Sequence, residues 1–231
     1  AAGNVAIMKP SELASASFSY LASLIADVLP PGVLTVLNGR GSKVGSFLVK
    51  HRDVGMVSLT GGIETGVRVL QDTAAQVKRV SLELGGKNPN IVLDDADLDT
   101  AVMWSAMGAF SNSGQICVCG SRILVQKGIY DAFTEGLVEA ARKRVVGDPL
   151  LESTEMGPVV GEDHYNKVWG YIDGAIAGGE GELLTGGERY TDEERSAGWF
   201  VPPTVFGGVA PGCTIASEEI FGPVVTLTPV D

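Results

Sequence analysis

Short apolar runs alternate with helix-period segments along the first third of the chain, and this alternation limits the possible folds most tightly. Val5-Ala6-Ile7-Met8 reads as a short buried strand stopped by Pro10. Phe18, Leu21, Ala22, Ile25 and Leu29 then recur at helical spacing, and Pro30-Pro31-Gly32 predicts the end of that helix. Val33 to Leu37 is a second strand, leading into the turn Asn38-Gly39-Arg40-Gly41, and Val44, Phe47 and Leu48 mark a short helix. Met56-Val57-Ser58-Leu59 is a third strand, followed by Gly61-Gly62 and a helix from Glu64 to Ala75. Strand, helix and strand in repeating order predict a parallel sheet flanked by helices, an α/β fold.

The pattern changes at Val80-Ser81-Leu82-Glu83-Leu84, a strand that runs into Gly85-Gly86-Lys87 as into a hinge. A domain boundary is expected near residues 82–86, giving a first domain over 1–83 and a second over 84–231. In the second, Asn90–Leu93 and Ser121–Val125 read as strands. Helices are expected over Ala101–Phe110 (behind the acidic cap Asp94-Asp95-Ala96-Asp97), Ile129–Val145 and Tyr165–Ala177. Phe133, Leu137, Ala140 and Ala141 share one face of the second helix. The tail from Gly186 is rich in Gly, Pro and short β runs such as Val224-Val225-Thr226-Leu227.

Composition removes several classes of function. Apolar residues make up 45% of the 231, enough to bury a core, so a disordered chain is excluded. Net charge is −11 with the basic residues scattered, whereas a phosphate backbone needs a clustered basic face, so no nucleic-acid partner is expected. No run approaches the ~18 apolar residues of a membrane span, and the N-terminus lacks the basic and apolar regions of a signal peptide. Cys117, Cys119 and Cys213 are too few and odd in number for a disulfide scaffold, which favours a reducing, cytoplasmic setting. Cys117-Val118-Cys119 lacks C-x-x-C spacing, and His51 and His164 lie far from it, so no metal site is expected.

Three features could carry chemistry. Cys117 follows the polar turn Ser111-Asn112-Ser113-Gly114 directly after a helix. A thiol there is either a buried structural group or a nucleophile whose site favours the thiolate. Glu83 interrupts an apolar strand just before two glycines, either as a solvent-facing carboxylate or as a base. Gly39-x-Gly41-x-x-x-Gly45 and Gly61-Gly62-x-x-x-Gly66 each join a strand to a helix. Such turns either close tightly or bring a helix N-terminus to a phosphate, and neither matches G-x-G-x-x-G.

Taken together these residues resemble a known family. Glu83-Leu84-Gly85-Gly86-Lys87 and Gly114-Gln115-Ile116-Cys117, with Glu83 and Cys117 34 positions apart, are similar to the two signature motifs of the aldehyde dehydrogenase superfamily. Lys9-Pro10-Ser11-Glu12 resembles its adenosine-ribose motif, Leu59–Gly66 its phosphate turn, and Glu218-Glu219-Ile220-Phe221-Gly222-Pro223 its nicotinamide-side motif. The five occur in the family's order. The resemblance implies part of a Rossmann-like cofactor domain followed by an α/β catalytic domain, and oxidation of an aldehyde to a carboxylic acid with NAD, NADP being possible. It implies Cys117 as nucleophile and Glu83 as the base that activates the hydrolytic water. It places Lys9 and Glu12 at the adenosine ribose, Gly41 at the adenine, Gly61 and Gly62 at the pyrophosphate, Glu219 at the nicotinamide ribose and Phe221 at the nicotinamide. The Glu12 charge would repel a 2′-phosphate, which favours NAD.

The sequence also departs from the family. Gly62 stands where the family commonly has serine. The chain lacks the upstream Trp-Asn motif, whose asparagine would serve the oxyanion hole, and the C-terminal part that closes the active site. It therefore resembles an internal segment of a longer, homo-oligomeric enzyme, poorly active alone. The competing reading is a catalytically silent relative with a structural or ligand-binding role.

Overall fold

A computed structural model describes residues 3–231. The chain divides into two compact units, one ending at Leu84 and the other spanning Gly85–Asp231.

The first unit holds strands β1 (Ala6–Met8), β2 (Leu34–Val36), β3 (Met56–Gly61) and β4 (Arg79–Leu84), with helices α1 (Ser15–Leu24), α2 (Ser46–Lys50) and α3 (Ile63–Ala74) between them. All pairing is parallel, but it forms two separate ladders, β1 with β2 and β3 with β4, rather than the continuous sheet expected from the alternation. The three-residue strands β1 and β2 ladder only with each other. Helix α1 stops at Leu24, five residues before the expected end at Leu29. Its apolar face is only partly covered: Leu21 is 51% exposed, and Ala22, Ile25 and Leu29 are half-buried. A last turn so partly packed gains little from remaining helical. In α3 the spacing does find a partner: Gly66, Val69 and Thr73 are buried on one face. A Cβ on Gly66 would come within 2.8 Å of the Leu84 side chain, so the missing side chain lets α3 lie close on β4.

The second unit is built on one five-stranded sheet in the order β5-β6-β9-β8-β7, formed by β5 (Pro89–Val92), β6 (Arg122–Gln126), β7 (Glu182–Thr185), β8 (Thr204–Gly207) and β9 (Val224–Val230). Every pair is parallel except β7 with β8. Alternate side chains of β8 and β9 enter two cores on opposite faces of the sheet. Val205, Val225 and Leu227 pack with α4 (Leu98–Phe110) and α5 (Tyr130–Lys143) through Phe110, Phe133 and Leu137. Phe206 and Val224 pack with α6 (Glu162–Gly178) through Val168, Trp169 and Ile172. The short helices α7 (Glu193–Ser196) and α8 (Thr214–Ser217) close the connections.

Two helix starts differ from expectation by three residues, each for a local reason. Helix α4 begins three residues early because the Asp97 carboxylate caps it, accepting from Thr100 N at 2.9 Å, and hydrogen bonding from the Thr100 side chain and then its backbone holds the carboxyl below its ordinary pKa. Helix α6 also begins three residues early, at Glu162, where the carboxylates of Glu162 and Asp163 suit the positive helix start. It ends on Gly179, whose φ of 64° requires the left-handed conformation that glycine adopts freely.

Candidate functional site

In the first unit the structure brings Lys9, Glu12 and Gly41 together. Lys9 follows β1, and its Nζ donates to the carbonyls of Pro10 at 2.6 Å and Gly39 at 3.0 Å. Glu12 lies 3.7 Å from that ammonium and accepts from Gly41 N at 2.7 Å. Hydrogen bonds from its own backbone N–H and from that of Gly41 lower the Glu12 pKa, with Lys9 and Arg40 assisting, so it is ionised at neutral pH. The result is a carboxylate acceptor beside an ammonium on an exposed surface. Gly61 ends β3 and Gly62 caps α3 without a side chain. The space around the missing Gly62 side chain is empty, so the first N–H groups of a twelve-residue helix are approachable. Glu83 is exposed near the end of β4 and pairs in register with Thr60, beside that turn.

In the second unit Cys117 is exposed in the loop after α4, and its carbonyl accepts from Asn88 Nδ2 at 2.6 Å. Three successive residues before it are left-handed: Asn112 at φ 51°, Ser113 at 56° and Gly114 at 70°. Each non-glycine residue in that region costs about 1–3 kcal/mol and persists only where its surroundings fix it. The fixing contacts are identifiable. Ser113 Oγ donates to Gly157 O at 2.8 Å, Gln115 Oε1 accepts from Val160 N at 2.9 Å, and Asn112 Nδ2 donates to Gln115 O at 3.0 Å. Gly114 lies directly on the Gly222 carbonyl, leaving no room for a Cβ. Cys119, by contrast, is buried under Ala109 with its thiol pushed up by burial, as a structural cysteine should be. Around Cys117, Ser111 and Ile116 are half-buried and Val118 is exposed.

Glu219 and Phe221 belong to the segment between α8 and β9, and together with Gly86, Gly114 and Ile116 they line one small hollow. The Glu219 carboxylate rests on Gly85, where any side chain would displace it. Phe221 has φ 60°, an outlier for so bulky a residue. The larger hollow in this unit, about 460 Å³ between β5 and α4, is lined by none of the expected site residues.

Two residues here were assigned no role of their own by the sequence. Lys87 places its Nζ out of contact with solvent and without a hydrogen-bond partner among the described residues. Its pKa is lowered to about 8, chiefly by burial and next by the neighbouring Arg122 charge, with Glu219 opposing. His164, on α6, lies against Phe221, and its pKa is lowered by burial, with the Phe221 carbonyl opposing. The motif spacing exposed neither role, because one depends on burial and the other on a contact 57 positions away.

Comparison with known proteins fits this geometry. The family described as the aldehyde dehydrogenase family matches residues 1–231. A human mitochondrial aldehyde dehydrogenase is 46% identical over 230 residues, covering 98% of this chain and 43% of that protein. A betaine aldehyde dehydrogenase from Bacillus subtilis is 41% identical over 228 residues, covering 98% of this chain and 46% of that one. Among solved structures, the betaine aldehyde dehydrogenase of Staphylococcus aureus in complex with NAD+ superposes with a TM-score of 0.95 at 40% identity, over 98% of this chain and 45% of that one. The chain thus spans less than half the length of these relatives. With the match running from end to end, the chain belongs to the aldehyde dehydrogenase family.

Proposed function

We propose that this chain is the central part of an NAD-dependent aldehyde dehydrogenase, with the first unit as part of its cofactor domain and the second as its catalytic domain. The observation that carries the reading is Cys117, exposed after three left-handed residues whose loop is pinned to the segment bearing Glu219 and Phe221. A loop held this firmly fixes a nucleophile in place. One related Staphylococcus aureus structure holds NAD+ together with a cysteine modified by BME, which supports a reactive thiol in that relative.

The residues of the first unit fit the cofactor. The uncapped start of α3 beside Gly62 offers backbone donors to a pyrophosphate, and Glu12 with Lys9 offers an acceptor and a donor to ribose hydroxyls. The ionised Glu12 disfavours a 2′-phosphate, so NAD is preferred to NADP. When bound, NAD supplies the acceptor for the hydride lost by the substrate. The protein's part is covalent. The Cys117 thiolate adds to the aldehyde carbon to give a thiohemiacetal, whose loss of hydride leaves a thioester on Sγ. Glu83 then takes a proton from water as the water attacks that thioester, releasing the carboxylic acid and returning the thiolate.

The homo-oligomeric assembly rests on the family resemblance, and the cytoplasmic setting on three unpaired cysteines. No helix among the described residues is long and apolar enough to cross a membrane.

The test uses the full-length protein. Cys117→Ala should abolish NADH formation while Cys119→Ala keeps most of it, and Glu83→Gln should give a burst of about one NADH per site followed by a stall. Turnover surviving in Cys117→Ala would refute the mechanism. A Glu83→Gln enzyme with neither burst nor stall would remove Glu83 from hydrolysis.

A further inference from the structure

One face of α6 holds the whole Glu218–Gly222 segment. Residues 164, 167, 168 and 171 follow the i, i+3, i+4, i+7 spacing that aligns side chains along a helix. Tyr171 Oη donates to Glu218 Oε2 at 2.7 Å, and Lys167 Nζ donates to the Glu219 carbonyl at 3.3 Å. His164 Nε2 lies 2.6 Å from the Phe221 carbonyl, and Val168 occupies the space that a Gly222 side chain would need. The segment thus runs antiparallel to the helix and is gripped at four of its five residues. Ile220, the fifth, is buried in the core beneath.

Phe221 is where the grip has most to do. Its left-handed backbone is not a conformation a phenylalanine adopts unaided, so contacts must impose it. Its carbonyl can only accept, so His164 carries a proton on Nε2 and donates it. The two rings also meet edge to face, with centroids 6.0 Å apart and planes at 74°.

We propose that His164 is a positioning residue for the nicotinamide end of the cofactor, holding Phe221 in its left-handed conformation through the Nε2–H bond to its carbonyl. The inference rests on the reading of Phe221 as a nicotinamide contact, and its test separates the two. In the full-length protein, 4-fluorophenylalanine at position 221 reports the turn by its ¹⁹F resonance. His164→Leu, which cannot donate, should shift or broaden that resonance and raise the KM for NAD about tenfold with kcat at saturation little changed. His164→Gln, which can donate, should restore both. An unmoved resonance in His164→Leu, or a His164→Gln as impaired as His164→Leu, would overturn the proposal. If His164→Leu does not fold, His164→Ala with added imidazole takes its place, and imidazole must return the resonance toward its original position or the proposal fails. If the resonance moves but NAD binds equally well to all variants by calorimetry, the link from His164 to the cofactor is overturned and the NAD reading stands. If the unaltered protein binds no NAD, the cofactor reading falls, and the proposal falls with it as far as the nicotinamide is concerned.

Discussion

A lysine ammonium with no hydrogen-bond partner, out of contact with solvent, is costly to charge, and Lys87 is in that position. Its folded pKa of about 8 lies below the ordinary value of 10.5, so between these values the unfolded chain holds a proton that the folded chain releases. The stability that Lys87 contributes is therefore complete only above about 10.5, and it is lost as pH falls through 8. Lys87→Met should stabilise the protein by about 2–3 kcal/mol at pH 7, with the gain vanishing as pH approaches 10.5. Denaturant melts of both proteins at pH 7 and 10 check this, and equal stability at pH 7 would refute it. Lys87 also marks where sequence reading stops at this scale. The Glu83-Leu84-Gly85-Gly86-Lys87 motif identifies the residue, but what distinguishes it is desolvation, which depends on residues far along the chain.

Among the elements, the turn Asn112–Gly114 is the most constrained. Gly114 combines φ 70° with contact on the Gly222 carbonyl, so Gly114→Ala faces both a conformational penalty and a collision with backbone. It should cost about 3 kcal/mol or more, whereas Asn112→Gly, at an exposed position, should stay within about 1 kcal/mol. Urea melts of the two variants read the difference directly, and a harmless Gly114→Ala would mean that the loop is not held as described. The sequence shows a polar turn at this place but not its handedness, since Asn and Ser are common in ordinary turns. Strands and helices of the second unit were legible because apolar period and burial agree, as at Phe133 and Leu137. Helix α1 was overextended because its apolar spacing predicts packing that the unit does not supply.

For the whole molecule, burial is uneven. Among the described residues of the first unit, Val69 and Pro10 are the buried apolar side chains and neither is large, while the second unit buries Trp169, Phe110, Phe133, Phe206 and many aliphatic groups. Hydrophobic burial is the main source of stability, so the units should open separately. In the 231-residue chain, amides of β1 and β2 should exchange with deuterium at least about tenfold faster than those of β6 and β9. Uniform protection across both units, measured by mass spectrometry of peptic fragments, would contradict this. The ladder between β3 and β4 has a further consequence, this one for the gene. Its residues match one for one from Met56↔Arg79 to Gly61↔Leu84, and successive residues of a strand face opposite ways. Deleting one codon within β4 would therefore bring Leu84 opposite Thr60 and leave the carboxylate on the wrong side, even with every motif residue still encoded. Lineages of this gene should tolerate length changes in the 75–78 connection far better than within the strand that follows it.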